Sequence, residues 1–168
     1  AIGGGRVHVF LAAGGLSGLV ETSEADAIIE APLDGGGGSF GAALSSGRTD
    51  DDDFVDLIVG APDARVDGVN VGAVWNLFGD GLWESDRVVA IDDAWIGSDA
   101  GDQAGLALAV GDLDGDELDE IIVGVPYGDG SEEDAGRVHV LDAVSPAGRL
   151  SERSRFTVRG ASGGDLFG

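Results

Sequence analysis

The feature that most limits what this chain can fold into is an internal repeat. Val59-Gly60-Ala61-Pro62 returns as Val123-Gly124-Val125-Pro126, 64 positions on. Gly72-Ala73-Val74-Trp75 returns at the same spacing as Gly136-Arg137-Val138-His139, and stands earlier as Gly5-Arg6-Val7-His8. Gly37-Gly38-Ser39-Phe40-Gly41 is matched by Gly101-Asp102-Gln103-Ala104-Gly105 and by Gly164-Asp165-Leu166-Phe167-Gly168. A fixed period of this kind marks supersecondary units that bury their apolar faces only by stacking on one another. It divides the chain into the C-terminal half of one unit (1–40) and two complete units (41–104 and 105–168).

Each unit reads as four short strands. In the last one, residues 106–110 are small and apolar, as suits an inner strand near a crowded axis. Residues 120–123 end in a continuous apolar run, the pattern of a strand covered on both faces. Residues 137–141 form the next strand, and 155–159 alternate like a half-exposed edge. Gly and Asp clusters punctuate between them. Residues 25–31 have some helical character but stand where the other units place their outer strand. Four strands in about 64 residues, repeated, predict an all-β chain of β-propeller blades, each of four antiparallel strands. Propellers close with about 4–8 blades. The expectation is therefore a partial propeller or part of a larger one, completed by further chain or by copies in a homo-oligomer.

The strongest chemical signal lies between the first two strands of the last unit: Asp112-Leu113-Asp114-Gly115-Asp116-Glu117-Leu118-Asp119-Glu120. Carboxylates at positions 1, 3 and 5 of a tight loop converge, and the carbonyl of Leu118 with the carboxylate of Glu120 can close the cage. An all-oxygen set suits a hard cation, and about six protein oxygens before water favour Ca²⁺ over Mg²⁺. An EF-hand is excluded, because β-type residues follow at once where a helix and a Glu at position 12 would be required. The preceding unit carries a weaker copy in which Asp50, Asp52 and Asp56 keep positions 3, 5 and 9, Phe54 supplies position 7, and Arg48 replaces the first carboxylate. Two outcomes are open for this loop: a weaker second metal site, or a cage filled by the Arg48 guanidinium in place of the cation.

The order of acidic loop, Ile121-Ile122-Val123-Gly124-Val125-Pro126, then Gly136-Arg137-Val138-His139-Val140 resembles the FG-GAP repeat of integrin α-subunit propellers. Phe40-Gly41, Phe167-Gly168 and Gly60-Ala61-Pro62 fit that name literally. The resemblance implies calcium ligands at Asp112, Asp114, Asp116, the Leu118 carbonyl and Glu120. It also implies an adhesive module at the cell surface or outside the cell. Two departures stand out: Glu117 replaces the usual Gly at position 6, which predicts a differently bent loop, and Glu120 replaces the commoner Asp at position 9.

Composition narrows the partners. The 32 acidic residues outnumber 9 basic ones, all Arg, for a net charge of -23. Phosphate contacts need a basic patch, so nucleic acid is excluded as a partner. Such charge self-repels in dilute buffer and is screened at about 1 M salt, where the Debye length is roughly 3 Å. The acid-rich, Lys-free composition is similar to that of proteins from salt-loving archaea. No stretch reaches the roughly 18 apolar residues of a membrane span. The chain has no Cys, hence neither a disulfide framework nor a thiolate metal site. It opens on Ala1 with neither the charged nor the apolar region of a signal peptide.

Other motifs are weaker. Gly37-Gly38-Ser39-Phe40-Gly41 fits a nucleophile elbow and Gly36 to Gly41 fits G-x-G-x-x-G, yet the repeats replace Ser39 by Gln103 and Leu166 and no helix follows. Both read as blade turns. His8 and His139 occupy equivalent strand positions two blades apart and are expected to pack rather than share a metal. Trp75 falls at the same strand position, and Trp83 and Trp95 are expected near the rim of the middle blade, where an exposed Trp would suit a sugar. The carboxylates permit a glycosidase-type pair, but nothing selects one. The function expected is a non-catalytic, calcium-binding module for a protein or glycan ligand. The alternatives are an accessory or catalytic propeller domain of a secreted hydrolase, or a structural component of a surface layer, virion or filament.

Overall fold

A computed structural model describes residues 4–11, 15–31, 38–79, 86–90, 93–129 and 132–168. Among the described residues three β-sheets stack, and within each the strands of one repeat pair antiparallel. The first pairs β1 (Arg6–Val9) with β2 (Ala27–Glu30). The middle sheet is built on β3 (Ala43–Gly47), β4 (Asp56–Ala61) and β7 (Ala73–Leu77), with β9 (Trp95–Ile96) beyond them. A small hairpin of β5 (Arg65–Val66) and β6 (Val69–Asn70) stands apart from that sheet. The last sheet runs β10 (Ala107–Gly111), β11 (Glu120–Val125), β12 (Arg137–Leu141) and β14 (Phe156–Arg159). This is an all-β fold of propeller-type blades in an open array. Residues 25–31 hold the strand β2 rather than a helix. The single α-helix among the described residues is the one-turn α1 (Leu150–Arg153). No helix there is long and apolar enough to cross a membrane.

Two short strands cross between sheets. β8 (Arg87–Val88), from the middle repeat, pairs parallel with β2 of the first sheet. β13 (Gly148–Arg149), from the last repeat, pairs parallel with β9 of the middle sheet. The middle sheet thus holds five strands where four were expected, because its outer edge is closed by residues of the next repeat.

The apolar runs of the middle strands follow from this stacking. Successive residues of a strand face opposite ways. Val59, Ala61, Ala73 and Trp75 turn toward Val7 and Ile29 of the first sheet, forming one core. Ile58, Val74 and Trp95 turn the other way, toward Ile121, Val123, Val125 and Leu141 of the last sheet. A half-polar strand would leave one of these two cores unfilled. The tryptophans are core residues: Trp75 and Trp95 are buried, and their Nε1 atoms donate to the carbonyls of Ala90 (2.8 Å) and Pro146 (3.2 Å). Trp95 lies within β9 and is therefore not an exposed rim residue; Trp83 lies outside the described residues.

The recurring Gly turn packs backbone against the start of equivalent strands. Gly72 (φ 74°) and Gly136 (φ 82°) begin equivalent strands, and the backbones of Ala104 and Phe167 pass directly over them. A Cβ on Gly72 would lie 2.3 Å from the Ala104 nitrogen, and one on Gly136 would lie 2.2 Å from the Phe167 oxygen. Ala104 N–H donates to the Val71 carbonyl (3.3 Å), and Phe167 N–H to that of Ala135 (3.2 Å). Ser39, in the first of these turns, has φ 60° and donates its hydroxyl to Asp63, as a turn residue does.

His8 and His139 lie on β1 and β12, in different sheets, as expected from the repeat. His139 is buried, with Nδ1 2.8 Å from Ser154 Oγ and 3.0 Å from Thr157 Oγ1. Burial, reinforced by the charges of Arg137 and Arg159, pushes its imidazole down to about 4. An unfolded histidine titrates near 6.5. The unfolded chain therefore takes up the proton first. Stability present above about pH 6.5 is lost as pH falls toward 4, by roughly 2–3 kcal/mol from this group. Urea denaturation of the parent and of His139→Gln at pH 7 and pH 4.5 measures it. The parent should lose more stability than the variant; equal losses would remove His139 from the account.

Candidate metal centre

The acidic loop is closed at its base by Gly111 paired with Glu120 across β10 and β11. Its own carboxylates fold it. Asp112 Oδ1 accepts from Gly115 N–H (2.6 Å) and its Oδ2 from Glu117 N–H (3.2 Å). Asp114 Oδ1 accepts from Asp116 N–H (3.2 Å), and Asp116 Oδ1 from Leu118 N–H (2.9 Å). Glu120 Oε2 reaches back to Leu113 N–H at 2.8 Å. Short Asp side chains bonding to backbone two or more residues on are what hold such turns without regular structure. Two left-handed residues bend it, Gly115 (φ 83°) and Glu117 (φ 75°). Glu117 thus takes the left-handed turn despite its side chain, where the sequence led us to expect a different bend. The cost of a Cβ there is about 1–2 kcal/mol, and the bonds from Asp112 to both N–H groups hold it in place.

The result brings together Asp112, Asp114 and Asp116. One carboxylate oxygen from each lies within 4.8 Å of the others, and all three residues are exposed. Among the described residues this is the one group of three or more such side chains that meets that distance. Glu120 lies outside it: its side chain is buried at the base of the loop and tied to Leu113. Leu118 takes part through its N–H bond to Asp116.

A residue that sequence reasoning read only as a strand residue completes the site. Arg155, just before β14, places Nη1 2.5 Å from Asp114 Oδ2, 3.4 Å from Asp142 Oδ1 and 3.8 Å from Glu120 Oε1. Its hydrogen bond and charge hold the Asp114 carboxyl below the usual carboxylate range, and Asp114 in turn raises the guanidinium. Arg155 is 41 residues from Asp114, so only the pairing of β12 with β14 could have predicted the meeting.

The loop of the middle repeat has the same skeleton without the cluster. Asp50 Oδ1 accepts from Asp52 N–H (3.1 Å), Asp52 Oδ1 from Phe54 N–H (2.7 Å), and Asp56 Oδ2 from Thr49 N–H (2.8 Å). Asp56 is fully buried and its acceptors are taken: Thr49 Oγ1 also donates to Oδ2, and Gly79 N–H donates to Oδ1 at 2.8 Å. Asp50, Asp52 and Asp56 do not converge as their counterparts do. The Asp50 carboxyl is raised: the bond from Asp52 N–H lowers it, but desolvation and the charges of Asp56 and Asp52 outweigh that bond. Arg48 does not fill this cage. Among the described residues its side chain forms no ion pair with these carboxylates, while its backbone exchanges hydrogen bonds with Asp119 of the neighbouring loop (2.7 and 2.8 Å). The two loops are thereby locked edge to edge.

A second acidic feature is a cleft of about 450 Å³ between the turn around Asp99 and Asp102 and that around Asp129 and Asp134, with Tyr127 on its wall. Asp102 is already engaged there, accepting from the N–H groups of Ser98 and Asp99 at 2.8 Å.

The acidic loop, flanked by β10, β11 and β12, falls inside a recognisable unit. Residues 104–141 match the FG-GAP repeat. FG-GAP repeats often bind calcium and build propeller-type modules often involved in binding. The matched FG-GAP segment starts at the Ala104 turn and ends with the last residue of β12, so it contains the whole acidic cluster but not Arg155. No curated protein matches the chain.

Proposed function

We propose that this propeller-type module binds one calcium ion in the loop from Asp112 to Glu120 and uses it to stiffen a blade for recognition of a protein or glycan outside the cell. The observation that carries this reading is the convergence of the Asp112, Asp114 and Asp116 carboxylates on one tight loop. The donor set fits the ion: hard oxygens only, on flexible side chains, with the Leu118 carbonyl and Glu120 at the loop's end. Asp112, Asp114 and Asp116 would hold the calcium, and the Leu118 carbonyl and the Glu120 oxygen not bonded to Leu113 would have to turn to it to close the set; the ion supplies positive charge to a site crowded with carboxylates. The role is structural and non-catalytic, with metal binding adding to folding free energy. The net charge of -23 fits surroundings of high salt, where its self-repulsion is screened.

Isothermal titration with Ca²⁺, at about 1 M monovalent salt and again at low salt, tests this on the parent and on Asp114→Ala. The parent should bind one equivalent and the variant none. Calcium at about 100 times Kd should raise the parent's Tm by roughly 5–10 °C. A parent that binds no calcium under either condition, or a variant that binds as well as the parent, would overturn the reading.

A further inference from the structure

Arg155 is the one positive charge within the acidic loop's reach among the described ion pairs, and it touches residues the metal would need. Its Nη1 lies 2.5 Å from Asp114 Oδ2, the oxygen of Asp114 that does not fold the loop, and 3.8 Å from Glu120 Oε1, the oxygen of Glu120 not bonded to Leu113. A divalent cation drawing on those oxygens must displace the guanidinium or accept a positive charge beside it. Somewhere to go is at hand. Asp142 Oδ1, outside the loop, is already 3.4 Å from the same nitrogen. The Arg155 side chain is 43 % exposed, so it can swing without disturbing the core. Its backbone stays fixed by the N–H bond to the Val140 carbonyl at 2.8 Å.

We propose that Arg155 is a resident competitor of the metal: it neutralises the loop when no cation is bound and sets how tightly a cation is taken. This rests on the calcium reading above. With the guanidinium on Asp114, three clustered carboxylates are tolerated without metal; with calcium present, Arg155 transfers to Asp142. The site is thereby detuned toward surroundings rich in calcium, and the loop keeps its shape when calcium is scarce.

The test compares the parent, Arg155→Gln and Arg155→Lys by calcium titration and by melting without calcium. Arg155→Gln should bind calcium about fivefold tighter than the parent, the scale of an exposed ion pair, and should melt lower in the absence of calcium. Arg155→Lys, which keeps the charge, should stay near the parent in affinity. Calcium binding by Arg155→Gln alone would overturn the proposal, because the arginine would then be the loop's permanent counter-ion and not a competitor that yields to calcium. A parent that binds calcium with Arg155→Gln binding equally or more weakly would overturn the proposal while leaving the calcium reading intact. If neither protein binds, the calcium reading falls and the proposal falls with it.

Discussion

Trp75→Ala should destabilise the protein by about 3–5 kcal/mol, the range for removing a large aromatic side chain from a core. Trp75 is 1 % exposed and is the largest fully buried side chain among the described residues. It fills the space between the first and middle sheets, edge-on to Phe40 at 5.3 Å between ring centroids and 72° between planes. Its indole N–H is bonded to the Ala90 carbonyl, so the substitution also leaves that acceptor without its donor. The smaller core residues around it, Ala61, Ala64, Ala73 and Ala94, offer little side chain to collapse into the void. Urea denaturation at about 1 M salt would read the loss. Trp75→Phe should recover part of it, because a ring still meets Phe40. A loss under about 1 kcal/mol would mean that the two sheets do not depend on each other as their shared core indicates.

Gly72→Ala should cost roughly 2–5 kcal/mol, from two separable causes. The first is the left-handed backbone at φ 74°, which penalises any Cβ by about 1–2 kcal/mol. The second is space: the new methyl would lie 2.3 Å from the Ala104 nitrogen and 2.4 Å from its oxygen, both backbone atoms. Overpacking of this kind costs about 1–3 kcal/mol more. Gly101→Ala is the control, since Gly101 is equally left-handed (φ 89°) but has nothing within 4 Å of a Cβ. Equilibrium unfolding of both variants should show Gly72→Ala losing at least twice as much as Gly101→Ala. Equal losses would assign the whole effect to the dihedral and none to the close contact with the Ala104 backbone.

Much of this is legible in the sequence. The four strands of the last repeat lie within a residue or two of where their patterns placed them: β11, covered on both faces, is a nearly unbroken apolar run, and β14, mostly exposed, alternates. The carboxylates of Asp112, Asp114 and Asp116 converge because Asp112 accepts from the N–H groups of Gly115 and Glu117 while Asp114 and Asp116 each accept from the N–H two residues on, which curls the loop around them. What escaped notice has physical reasons too. The Asp67-Gly68 turn of the small hairpin uses two left-handed residues (φ 52° and 80°), a pairing favoured in two-residue hairpins; the signal was present in the sequence but belongs to one repeat and not the others. Strands of two residues, such as β8 and β13, carry no periodicity to read. Arg48 looked like the cation of its loop because it replaces a ligand there, yet Thr49 and the Gly79 N–H satisfy Asp56, and the backbone of Arg48 serves the neighbouring loop. The arginine that does reach an acidic loop, Arg155, stands just before β14 of the last sheet.

The parallel pairs β2–β8 and β9–β13 put the unit of duplication and the unit of architecture out of phase. A 64-residue segment copied in tandem carries away the short strand that completes its predecessor and receives its own from its successor. Adding whole segments therefore remakes every closure, wherever in the array the copy is inserted. Removing part of one exposes the backbone of a neighbour that was itself left intact, and an uncovered sheet edge is an invitation to pair with whatever strand is near. Growth of such an array is forgiving by whole periods and punishing by fractions, which is a reason for the period to persist when the residues within it drift.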